Sequence, residues 1–302
     1  MYKLPAEDFK FIINHFMDLS NLKQSIIKTL AYGDVFGWPM SEDEIFIKVQ
    51  SSKLKVKSYS SKFKVQLKQL IKKKKIGCKN GFCFLPGKGF IVKRRLEREK
   101  WAKEKMKIAK NCAKYLKIIP SILLVGVSGG LAVDNVSKDD DIDFFIICRN
   151  GTLWTTRFLS TFLLDFLGKR RRPGDKDVRD KICLNMFVDE LGMQIPEKER
   201  DLYMAHEVVQ MNPVWDKNNA YRKFLKANMW VANIFRKTRK ASPASPDQIS
   251  RKVGKVEYFF REFQLKYMSG RRTTEKIEPH RLMFHPEDKR DWVMREFRRR
   301  LK

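Results

Sequence analysis

ILLVGVSGGLAVDNVSKDDDIDFFII, residues 122–147, is the stretch from which the rest of the chain is read. It opens with an apolar run, Ile122 to Val127, of a length suited to one buried strand. Ser128, Gly129 and Gly130 follow at once. Three aspartates, Asp139 to Asp141, then lead into a second apolar run, Ile142 to Ile147. Asp141 and Asp143 are two apart on that strand, so their side chains leave the sheet on one face, while Ile142 and Phe144 take the other. Two carboxylates on one face offer hard oxygen ligands to a divalent cation. A Gly-Gly turn at a strand end leaves backbone N–H groups open to an anion, especially where a helix begins. Phosphate at one end and metal at the other point to a nucleoside triphosphate with magnesium.

Gly129-Gly130, ten residues, then Asp141-Ile142-Asp143-Phe144 resembles the signature of the polymerase-beta-like nucleotidyltransferase superfamily. That resemblance implies an α/β nucleotidyltransferase core, two magnesium ions held by Asp141 and Asp143, and Ser128, Gly129 and Gly130 against the triphosphate. It implies movement of a nucleoside monophosphate onto an acceptor hydroxyl. Related proteins add a third carboxylate on a later strand. Here that strand is Ile182 to Asp189, and the expected position holds Asn185. Its even positions are apolar and its odd positions, including Asn185 and Asp189, share the other face. An amide has no charge and cannot act as a base. Asp189 lies about 13 Å further along by strand rise. Asn185 and Asp189 are therefore the possible third-strand contributors. Gly126-Val127-Ser128-Gly129-Gly130 also matches a GxSxG nucleophile elbow, but only His206 stands at a plausible distance to serve it.

Outside that core, residues 1–91 read as a winged helix-turn-helix. Leu22 to Tyr32 carries a helical apolar stripe, Ser41 and Glu44 form a capping box, and a third helix begins near Ser60. Asn80-Gly81 is a favoured two-residue turn between two short strands. Lys48 to Lys75 holds eleven lysines and no acid. Lys62, Lys64, Lys68 and Lys72 are the expected phosphate contacts, and with few groups to read base edges such contact is sequence-independent. Residues 92–120 read as a connecting helix whose basic residues form a solvated face. Residues 121–196 form the core, including the helix from Thr152 to Leu167 and the basic loop with Arg170 and Arg171, candidates for triphosphate or nucleic-acid contact. Residues 197–302 read as a helical C-terminal region, with a linker at 241–246. The fold class expected is thus α+β.

Length and charge bound the rest. The chain has 302 residues and a net charge of +29, an excess that points to polyanionic partners. No stretch has the apolar length of a membrane span, and Met1 to Ser20 does not read as a secretory signal. Five cysteines without a CxxC pair argue against zinc and for reduced thiols in the cytoplasm. His280 and His285 read as structural or surface residues. The acceptor expected is nucleic acid. A protein or small-molecule acceptor is one alternative, and a nucleic-acid-binding regulator with a decayed core is the other.

Overall fold

The computed structural model describes residues 22–49, 57–236, 254–269, 275–284 and 289–302. The 241–246 linker and His285 lie outside them. The described residues are mixed α and β with two sheets.

The first sheet sits with three helices near the N-terminus. Helix α1 (Leu22–Val35) is followed by β1 (Met40–Ser41), α2 (Glu42–Val49), α3 (Lys57–Lys72), β2 (Gly77–Lys79) and β3 (Phe82–Phe84). The three strands pair antiparallel in the order β1-β3-β2. The capping box forms: the Ser41 backbone N–H donates to Glu44 Oε2 at 2.7 Å, and the Glu44 N–H donates to Ser41 Oγ at 3.2 Å. Asn80 and Gly81 take the positive φ values, 51° and 80°, that the tight turn demands. That turn brings Cys78 opposite Cys83, and the two form a disulfide. The expectation of five reduced thiols is corrected for this pair. Cys112, Cys148 and Cys183 are free.

Helix α4 (Ile91–Leu116) crosses to the second sheet. Its buried stripe runs through Ala102, Ala109, Cys112, Ala113 and Leu116, whereas Tyr115 is 50% exposed. Two of its cations are interior, which corrects the expectation of a solvated basic face: Arg95 is 2% exposed and Lys105 1%. Arg95 binds the Val133 carbonyl at 2.8 Å and Glu44 at 2.8 Å, and so ties the N-terminal unit to the core.

The second sheet has the order β7-β4-β5-β6-β9-β8. It comprises β4 (Ile122–Val127), β5 (Ile142–Cys148), β6 (Ile182–Asp189), β7 (Asn212–Asp216), β8 (Lys276–Glu278) and β9 (Arg281–Met283). Only β5 and β6 run parallel, joined through α6 (Leu153–Phe166). Helices α4, α6 and α10 (Lys255–Ser269) cover one face. Helices α7 (Leu202–Gln210), α8 (Ala220–Ala227) and α9 (Trp230–Arg236) cover the other. Residues 197–302 therefore do not form a separate helical region: β7 completes one edge of the sheet, and β9 and β8 the other. Pro213 is compatible with β7 because that strand is at an edge. The last helix, α11 (Arg290–Leu301), packs Val293 and Phe297 on α1 and places Arg300 2.6 Å from Asp34. No described helix is long and apolar enough to cross a membrane.

Candidate metal and nucleotide site

The site forms where β4 ends and β5 begins. These strands pair antiparallel, and the Ser128 N–H donates to the Asp143 carbonyl at 3.0 Å. The chain then turns at Gly129, with φ +62°, into a single helical turn, α5 (Gly129–Ala132). A Cβ on Gly129 would lie 2.8 Å from Asp143 Oδ2, so both conformation and space require glycine there. The same close approach sets bare backbone against the Asp143 carboxylate.

Asp143 stands opposite Cys183 in the parallel β5–β6 register. Ligand atoms of Asp141, Asp143 and Cys183 all lie within 4.8 Å of one another. The third-strand neighbour of the acidic pair is thus Cys183, and Asn185 does not occupy the place expected for it. The register sets this ahead of any irregularity, and a bulge follows: Phe144 pairs with Leu184 and Phe145 with Met186, leaving Asn185 without a partner residue on β5. The bulge also corrects the simple alternation expected along this strand. Leu184 and Phe187 pack with the α4–α6 layer, while Met186 and Val188 face the α7–α9 layer. Asp189 is at the far end, where its carboxylate meets His280 Nδ1 at 2.8 Å and accepts from the Leu191 and Gly192 N–H groups.

Burial, reinforced by the neighbouring Asp141 charge, pushes the Asp143 carboxyl up to about 7. Burial and the Asp143 charge push the Cys183 thiol up as well, so it stands as a thiol rather than a thiolate. Arg171 reaches Asp141 Oδ2 at 2.6 Å. Arg170 pairs with Asp165 at 2.9 Å. The loop carrying these arginines is stitched to β6 by Arg171 N–H to Ile182 O and Ile182 N–H to Lys169 O. Lys62, Lys64, Lys68 and Lys72 are exposed on α3, with Lys64 3.8 Å from Glu42.

Lys105 is the positioning residue that pattern reading missed. Its Nζ donates to the Lys138 carbonyl at 2.9 Å, the Asp140 carbonyl at 2.6 Å and Asp180 Oδ1 at 2.7 Å. This one buried ammonium pins the aspartate loop immediately before Asp141. Its sequence signal was slight, since a lysine on a lysine-rich helix reads as surface.

On the face that bears Asp143, a cavity of about 360 Å³ opens between the sheet and α7. Phe145, Met186, Met204, Met211 and Phe224 give it an apolar wall, and its polar groups include Ser128, Asn185, Glu207, Lys276 and Arg290. Burial pushes the Glu207 carboxyl up to about 7, against the pull of Lys48. His206, the adjacent residue, stacks on Tyr32 with ring centroids 3.6 Å apart. That contact spends the imidazole on the α1–α7 packing.

As donors, the two carboxylates suit a hard cation, whereas a neutral thiol adds little to one. The fit to magnesium thus rests on Asp141 and Asp143. Comparison of the chain with protein-family models, with curated proteins and with solved structures finds no match.

Proposed function

We propose that this chain moves a nucleoside monophosphate from a nucleoside triphosphate to an acceptor hydroxyl, with Asp141 and Asp143 at the reaction centre. One observation carries the reading: the Asp143 carboxylate, with Asp141 within 4.8 Å of it, is held directly against a left-handed glycine turn at the end of β4. Asp141 and Asp143 would hold divalent cations, which when bound neutralise triphosphate charge and activate the attacking hydroxyl. Ser128, Gly129 and Gly130 lie on the turn facing the pair, where backbone can approach phosphate closely. Arg171, now on Asp141, supplies a cation able to exchange that carboxylate for a phosphate oxygen.

The exposed lysines of α3 support contact with a nucleic-acid backbone. They belong to the N-terminal unit, so such contact locates the protein without itself defining the acceptor. A second reading is a nucleic-acid-binding regulator that holds nucleotide without turnover. It is favoured by Cys183 standing where a third carboxylate would complete the site.

The test is incubation with each α-labelled nucleoside triphosphate, magnesium or manganese, and RNA, DNA or no added acceptor, alongside Asp143→Asn. Label transferred by the wild type and lost in the variant is expected. Equal label in both overturns the assignment, and nucleotide binding without transfer selects the second reading.

A further inference from the structure

The cavity opens on the sheet face that bears Asp143, and its composition is specific. Its volume, about 360 Å³, falls among those of small-molecule sites. Methionine and phenylalanine side chains with Ile195 and Val208 give much of its wall, a lining that suits an apolar body of adaptable shape, and Lys276 and Arg290 also line it. Asn185 is 6% exposed and lines this space. Its amide can both donate and accept a hydrogen bond with an occupant. The bulge leaves Asn185 out of the β5–β6 register and brings Met186 to the same face, so both line the cavity. Glu207, on α7, lines the same space, as does Phe145, two residues from Asp143 on β5 and so on the same face of it. Cavity and acidic pair therefore share one face of the sheet.

We propose that this cavity is the acceptor site, and that the acceptor is a small apolar molecule bearing a hydroxyl group that hydrogen-bonds Asn185. The proposal rests on the nucleotidyl-transfer reading above. In the step, the acceptor oxygen forms a bond to the α-phosphorus and the bond from that phosphorus to the bridging oxygen breaks. Pyrophosphate leaves with the bond electrons, and the hydroxyl proton passes to the Glu207 carboxylate.

The test uses two probes of equal shape, naphthalene and 2-naphthol, whose binding to the full chain is followed by fluorescence. Both are expected to bind, 2-naphthol about tenfold tighter, the value of one buried hydrogen bond. Asn185→Leu is expected to erase that tenfold preference while leaving naphthalene affinity unchanged. Val208→Phe, which fills the space from α7, is expected to abolish both, with thermal melting used to confirm its fold. An unchanged preference in Asn185→Leu, or unchanged binding in a folded Val208→Phe, overturns the proposal. So does displacement of 2-naphthol by nucleoside triphosphate with manganese, which would assign the cavity to the nucleobase. Transfer of label to an oligonucleotide but never to bound 2-naphthol also overturns it. If 2-naphthol binds as expected and no acceptor of any kind is labelled, the transfer reading fails while the hydroxyl-selective cavity stands.

Discussion

The two faces of β5 serve opposite ends. Ile142, Phe144 and Ile146 are wholly buried in a layer closed by α4 and α6. Asp143, on the alternate face, is pressed by burial and by Asp141 into a state that disfavours its charge, and Phe145 beside it looks into the cavity. A strand with period two can thus put stabilising burial and destabilising polarity into consecutive residues. The closed face stabilises the sheet, and the open face uses that stability to hold groups that would otherwise reject one another.

The comparison breaks most directly at Asp143. Asp143→Asn is expected to reduce nucleotide transfer more than ~100-fold, since loss of a ligand should exceed the 10–100-fold cost of losing a ligand's outer partner. It is also expected to stabilise the metal-free protein. The folded state raises the Asp143 carboxyl from 3.8 to about 7. It therefore binds the proton more tightly than the unfolded chain does. That contribution is fully present below about pH 4 and is lost as pH rises through 7. Urea unfolding in the presence of a chelator should therefore find the variant more stable than wild type at pH 8, by roughly 1–3 kcal/mol, and much less so at pH 4. A variant that is less stable at pH 8 would show that the open face is not strained. On the closed side, Lys105→Met removes a buried ammonium that holds two carbonyls and the Asp180 carboxylate, and is expected to cost roughly 2–4 kcal/mol. Transfer should fall too at temperatures where the variant stays folded, because the loop before Asp141 loses its anchor. Full activity in the folded variant would separate that loop from the site.

The third prediction concerns Cys183. Cys183→Asp adds a carboxylate beside Asp143 and is expected to tighten manganese binding about tenfold, the scale on which single ligand-environment changes act. Cys183→Ser should leave affinity within about threefold. Titration calorimetry distinguishes them, and an Asp variant that binds no better would place the cation away from β6.

What was legible from residues alone divides along the same line. The apolar strands, the glycine turn, the capping box at Ser41 and the Asn80-Gly81 turn are local, and each forms where its chemistry demands. Features set by tertiary register were not legible. The bulge at Asn185 leaves no mark in an otherwise regular apolar strand, yet it brings Met186 and Val188 round to the α7–α9 face. Strands β8 and β9 have three residues each, too few for a periodic signal, and take their conformation from the β6 edge they join. Lys105 and Arg95 carry the residue types of a solvated helix face. Only the carbonyls and carboxylates brought over them by the core make them interior.

The smallest effects are expected where charge is exposed. Lys62, Lys64, Lys68 and Lys72 stand in solvent on α3, so replacing any one by alanine should change stability by no more than ~0.5 kcal/mol. If they touch phosphate, each replacement instead lowers the slope of log affinity against log salt by about one, on any DNA or RNA sequence. The measurement sharpens the contrast with Lys105, an identical side chain. Buried, it holds a loop through two carbonyls and a carboxylate. Exposed, it contributes only to a field that salt screens. A salt slope unmoved by Lys68→Ala would remove α3 from the polyanion surface and leave the acidic site on β5 to account for the chemistry by itself.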